Sequence, residues 1–150
     1  RMPEGYDHLV VAGPQLDDAS MERARSLAGP TTTVVRTCPG LAHRIREAAA
    51  VISMGGYNTV CEILAADTPA LIVPREVPRL EQTIRARALA GAHLIDTLSQ
   101  ADATPEALSR WLNGAVTTRT DRSRIARGGL AAAAHAAMTL IAPANDGDLQ

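Results

Sequence analysis

Residues Val51 to Arg75 read VISMGGYNTVCEILAADTPALIVPR: two short apolar runs joined by a pair of glycines and an amphipathic stretch. The first run, 50 to 54, and the second, 70 to 74, have the length and β-branched content of strands. Between them Val60, Ile63 and Leu64 recur at helical spacing and predict a helix with one apolar stripe. Strand, glycine turn, helix, strand is one unit of a parallel α/β sheet, in which ligands bind where strand ends lead into helix starts. Gly55 and Gly56 permit a tight turn and close backbone approach. Asn58 and Thr59 open the helix, where free N–H groups and the positive dipole end suit a phosphate. Glu62 stands about 200° round that helix from Leu64, one turn beyond Asn58, and is free to face the cleft. A carboxylate there accepts two hydrogen bonds from a ribose diol. The same residues fit a plain βα turn with an exposed Glu62 equally well.

The unit repeats along the chain. Apolar runs at 8 to 13, 31 to 37, 50 to 54, 70 to 74 and 92 to 98 alternate with helical patterns at 17 to 28, 39 to 49, 56 to 67 and 79 to 91. Near-continuous apolar strands imply burial on both faces, so the expected fold is α/β, a Rossmann-like three-layer αβα arrangement around a parallel sheet. Asp17, Asp18 or Ser20 is suited to cap the first helix, and Gly29 and Pro30 to end it. Pro39 suits the first turn of the second. Thr104, Pro105 and Glu106 open a further helix that Gly114 is expected to follow. From Asp121 a basic turn with Arg119, Arg122, Arg124 and Arg127 nearby leads into an alanine-rich helix, interrupted at Gly128 and Gly129. That helix reads as one packing on the domain or on a partner domain, ahead of a membrane-surface role. The expected organisation is one domain over 1–142 and a mobile tail over 143–150.

At 150 residues and 46% hydrophobic, the chain has the material for one compact core. A net charge of -1 gives no field favouring nucleic acid or an acidic surface, so no nucleic-acid partner is expected. The basic residues are 15 arginines with no lysine, which excludes P-loop and Schiff-base lysines. Cys38 and Cys61 form no Cys-x-x-Cys pair and are expected in buried, reduced surroundings. His8, His43, His93 and His135 lack ligand spacing, so no metal site and no cofactor are expected. GGYNTVCE lacks the G-x-G-x-x-G spacing of dinucleotide folds. No apolar run is long enough to span a bilayer, and no signal-peptide pattern opens the chain. A start at RMPEGYDHLVVAG, without methionine, reads as a piece of a larger gene product.

SMGGYNTVCEILAADTPALIVPR followed by LEQTIRARALAGAHLIDTL resembles the C-terminal domain of family 28 glycosyltransferases, the MurG-like enzymes of GT-B architecture. The likeness runs from about Leu9 to Leu112 and is strongest between Ser53 and Leu98. MGGYNTVCEIL looks closest to predicted, uncharacterised bacterial glycosyltransferases. The resemblance implies a two-domain enzyme, cytoplasmic with peripheral contact at the inner membrane face, in which this half grips a nucleotide-diphosphate sugar, commonly a UDP-sugar. An N-terminal half, outside this chain, would hold the acceptor. On that pattern Gly55, Gly56 and the amides near Asn58 and Thr59 meet the diphosphate, and Glu62 binds the donor ribose. Glu81 and Gln82 match the family's sugar-facing polar pair. Residues Arg36 to Pro39 correspond to the loop that holds the base.

Arg75 and Arg79 flank the sugar loop, where planar guanidinium forks suit an anionic leaving group. Two departures stand out: the family's domain normally opens with another strand and glycine-bearing loop before the unit at His8, and the acceptor's base usually comes from the N-terminal half. The chain alone is therefore expected to bind rather than turn over. Two other functions share the pattern, a UDP-sugar epimerase of the same architecture and a non-catalytic nucleotide-sugar-binding module.

Overall fold

The computed structural model describes residues 2–75 and 80–125. Strands and helices alternate: β1 (His8–Val11), α1 (Asp18–Ser26), β2 (Thr32–Val35), α2 (Leu41–Glu47), β3 (Val51–Ser53), α3 (Tyr57–Leu64), β4 (Ala70–Ile72), α4 (Leu80–Gly91), β5 (Asp96–Thr97) and α5 (Pro105–Ala115). Every ladder is parallel: His8 pairs with Thr32, Val51 with Ala70 and Leu71 with Asp96. A helix must therefore carry the chain back between paired strands. The parallel, Rossmann-like α/β fold expected from the alternation is the one observed.

The core sits around β4. Ile45 of α2, Val60 and Ile63 of α3, Ala70 and Ile72 of β4, Ala86 of α4 and Ile95 form one buried cluster, with Leu64 packed against it. The stripe expected on α3 is thus the face it buries. All three residues of β4 are buried. β1 and β3 depart from the expected two-faced burial: Leu9 and Val10 are 44% and 43% exposed, and Ile52 is 38% exposed. The reason is topological. β1–β2 and β3–β4–β5 are separate ladders, so β1 and β3 each have one strand neighbour among the described residues.

Helix starts follow local chemistry. Asp17 caps α1 by accepting from the Ser20 N–H at 2.8 Å, and Thr104 caps α5 by accepting from Ala107 N–H at 3.2 Å. α2 begins at Leu41 behind Gly40 in the left-handed region, φ 71°, two residues later than Pro39 suggested. α5 runs through Gly114 to Ala115 rather than stopping before it. Cys61 is exposed and Cys38 half-buried, against the expected burial. Cys61 lies about 100° from Val60 and 200° from Ile63, which turns it away from the buried stripe.

Arg122, one of the arginines of the basic turn weighed for a membrane-surface role, does not face solvent. It is fully buried, donating from Nε to the Leu94 carbonyl at 2.8 Å and from Nη1 to those of Ala66 at 2.6 Å and Thr68 at 2.9 Å. It ties the α3–β4 and α4–β5 connections together and is withdrawn from any membrane surface. Arg79, Arg127, Gly128, Gly129, the alanine-rich helix and the tail 143–150 lie outside the described residues.

Candidate functional site

The chain leaves β3 at Ser53 and enters α3 at Tyr57 through the glycine pair. Gly55 has φ +78°, and a Cβ there would stand 2.7 Å from Cγ2 of Ile72, inside the van der Waals contact of the core. Its backbone needs glycine both for the left-handed angle and for the approach to β4. Its N–H donates to Ser53 Oγ at 3.1 Å, which fixes the turn locally. Gly56 is the N-cap of α3, extended at φ -56° and ψ 145°, with no side-chain hydrogen bond. A capping side chain would normally accept from the second or third helical N–H, here those of Asn58 and Thr59. Neither amide is taken by a described side chain, and no acidic residue occupies the first turn. The turn therefore presents bare amides and positive potential at the carboxyl end of β3.

The sequence-predicted residues surround this turn to different degrees. Asn58 is exposed and Thr59 half-buried; Glu62, one turn on, is half-buried, and its carboxylate has no hydrogen bond or ion pair with a described residue. Arg75, just past β4, is exposed, and its N–H donates to Oε1 of Gln82 at 3.3 Å. Gln82 is thereby held at the mouth of the β4–α4 connection. Glu81 is exposed in the first turn of α4.

Two residues that the sequence did not single out join these pieces. Arg85 follows Gln82 by three positions on the same face of α4. Its Nη1 donates to the carbonyl of Gly55 at 3.4 Å, and Cζ lies 5.5 Å from the centroid of the Tyr57 ring. The cluster Gly55, Tyr57, Gln82, Arg85 and Arg75 thus forms one continuous edge where β3 and β4 end. In a lysine-free chain, an arginine three residues after Gln82 was the available signal.

At the end of β2, Arg36 is directed toward the β1–α1 connection. Its guanidinium donates to the Leu16 carbonyl and pairs with Asp18 at 2.5 Å, and its carbonyl accepts from Gly13 N–H at 3.0 Å. That leaves Thr37 to Pro39 as the open part of the loop compared above with a base-holding segment. A concavity of about 350 Å³ lies at the other end of the sheet, lined by His93, Asp96 and Thr97 among others near the amino ends of β4 and β5. It is on the wrong side for the helix starts, so chemistry favours the glycine edge. Among the described residues no group of three or more His, Cys, Asp or Glu is placed to hold a metal ion. Among them, too, no helix is long and apolar enough to cross a membrane.

Parallel strands with helix starts gathered at one edge define a Rossmann-like α/β domain, and the solved structures it resembles are glycosyltransferases. The crystal structure of Acinetobacter baumannii MurG superposes with a TM-score of 0.68 at 21% identity, over 89% of this chain and 41% of that one. The glycotransferase of kitacinnamycin gives 0.55 at 18% identity, over 79% and 37%. Both likenesses show the fold. Residues 4–139 match the model of the Glycosyltransferase family 28 C-terminal domain, and the chain belongs to that family.

Among proteins of assigned function, it is similar to the UDP-N-acetylglucosamine--N-acetylmuramyl-(pentapeptide) pyrophosphoryl-undecaprenol N-acetylglucosamine transferase of Brucella canis. Identity there is 32% over 103 residues, 67% of this chain. The enzyme of the same name from Rhizobium rhizogenes is 37% identical over 78 residues, 51% of this chain. The chain spans 27% and 21% of the length of these two relatives.

Proposed function

We propose that this chain is the donor-binding half of a glycosyltransferase that moves a sugar from a nucleotide-diphosphate sugar, a UDP-sugar, to an acceptor held by a second, N-terminal half. The observation that carries this reading is the uncapped start of α3 behind a Gly55 turn that admits no side chain. Family membership and the UDP-sugar in the relatives' names support the donor class. The whole gene product is read as cytoplasmic, meeting the membrane's inner face peripherally.

In this reading Gly55 shapes the turn, Gly56 lets the diphosphate approach the backbone, and the amides of Asn58 and Thr59 donate to it. Glu62, one turn along, accepts from the ribose hydroxyls, far enough from the phosphates not to repel them. Glu81 and Gln82 face the sugar; Gln82 both donates and accepts, the chemistry needed to read hydroxyl stereochemistry. Arg75 adds a cation beside them. Transfer is direct: as the bond from the anomeric carbon to the diphosphate oxygen breaks, negative charge grows on the leaving group, and preorganised amides stabilise it. The acceptor hydroxyl supplies the new bond, and its proton goes to a base on the other half.

The test is calorimetry of UDP binding to the protein and to Glu62→Ala. Loss of a hydrogen-bond partner to a charged group predicts weakening on the order of 1 to 3 kcal/mol. Equal affinity in a variant with unchanged circular dichroism would remove Glu62 from the ribose role.

A further inference from the structure

Arg85 breaks a local electrostatic rule. The first turn of a helix is the positive end of its dipole and favours acids, yet α3 carries none there, and its neighbour across the turn is a guanidinium. Arg85 makes no ion pair with any described residue, although it is half-buried against the glycine turn. Two contacts hold it in place. One N–H reaches the Gly55 carbonyl at 3.4 Å, and the planar head lies over the Tyr57 ring, centroid at 5.5 Å. Charge is thus concentrated at one point with no counter-ion among the described residues, a local inconsistency of the sort proteins keep at working sites.

From this geometry we infer that Arg85, seated on Tyr57, is the positioning residue of the glycine turn and sets the site's preference for two phosphates over one. The inference rests on the nucleotide reading given above and deepens it. By drawing the Gly55 carbonyl toward α4, Arg85 keeps that dipole from turning into the cleft, where it would repel an anion. Its fork has five N–H groups, and one serves Gly55, so the guanidinium retains donors for the ligand. An amide row answers a single phosphate. The added unit charge answers the second, and a planar fork does so with directed hydrogen bonds that a lysine's rotating ammonium would not reproduce. Tyr57 limits the rotation of that fork at little entropic cost, since the ring has few torsions of its own.

The experiment compares UDP, UMP and uridine binding by calorimetry for the protein, Arg85→Gln, Arg85→Lys and Tyr57→Leu. Arg85→Gln is expected to weaken UDP by about tenfold or more, the range for a lost charge-assisted hydrogen bond, while uridine changes by less than about threefold. Arg85→Lys falls between, because charge is kept and the fork is lost. Tyr57→Leu retains the guanidinium and shows a smaller loss in the same order of ligands. A uniform loss for all three ligands in Arg85→Gln, or an unchanged UDP-to-UMP ratio, overturns the assignment and leaves Arg85 a packing residue. Should Arg85→Gln unfold, the UDP-to-UMP ratio in Arg85→Lys and Tyr57→Leu decides by the same criterion. A protein that binds uridine but never prefers UDP to UMP contradicts this inference alone; one that binds none of the three contradicts the nucleotide reading as well.

Discussion

Gly55 and Gly56 stand side by side and are glycine for different reasons. Gly55 answers to the fold, with φ +78° and the Ile72 methyl 2.7 Å from where a Cβ would go. Gly56 has an ordinary φ of -56° and nothing within 4 Å of an added Cβ, so the core does not require it. Gly55→Ala should therefore cost on the order of 1 to 3 kcal/mol from backbone strain, before the clash with Ile72 is added. Gly56→Ala should cost less than about 1 kcal/mol, the scale of an altered cap. If the backbone at Gly56 meets a phosphate, the same Gly56→Ala change weakens UDP binding while the thermal midpoint barely moves. Denaturation and calorimetry on the pair separate the roles; a Gly56→Ala protein with full UDP affinity would deny close approach there. The glycine pair was legible in the sequence, but this division was not, because it depends on Ile72, a contact set by the β3–β4 register. Arg85 was hidden for the same reason: its partner Gly55 is 30 positions away.

At the scale of elements, helix starts were more legible than ends. Asp17 and Thr104 cap the helices assigned to them because a cap is a bond across three residues, readable from spacing alone. Ends depend on tertiary contacts, so α5 continues through Gly114, and the β5 pattern at 92 to 98 narrows to Asp96–Thr97. The cap on α1 carries a pH signature. Bonds from Ser20, its backbone N–H foremost, hold the Asp17 carboxyl below the ordinary aspartate value. A carboxylate with a depressed folded-state value stabilises the fold fully above its unfolded value, and that contribution fades as pH falls through the folded one. Asp17→Ala should lower the thermal midpoint at neutral pH, and the gap to the unsubstituted protein should narrow in acid below the ordinary aspartate range. A gap that stays constant well below that range would show that the ionised cap contributes nothing.

At the scale of the whole molecule, alternation of strand and helix revealed the parallel α/β class, since periods of two and 3.6 residues are properties of sequence. The division into two ladders was not visible there, for it concerns which strands neighbour which, and hydrophobic runs are silent on that. Nor was the role of Arg122, whose three carbonyl acceptors come from loops that only the folded chain brings together. A charged residue in a basic run reads as solvated until its burial is known. The account as a whole depends on where a nucleotide sits: at the glycine edge or in the concavity by His93 and Asp96. Titrating UDP into ¹⁵N-labelled protein and following the backbone amide resonances tests this most directly. The amides of Gly56, Asn58 and Thr59 should shift together in one saturable transition, with those near His93 and Asp96 unmoved. Shifts confined to His93, Asp96 and Thr97, with the α3 start silent, would contradict the account.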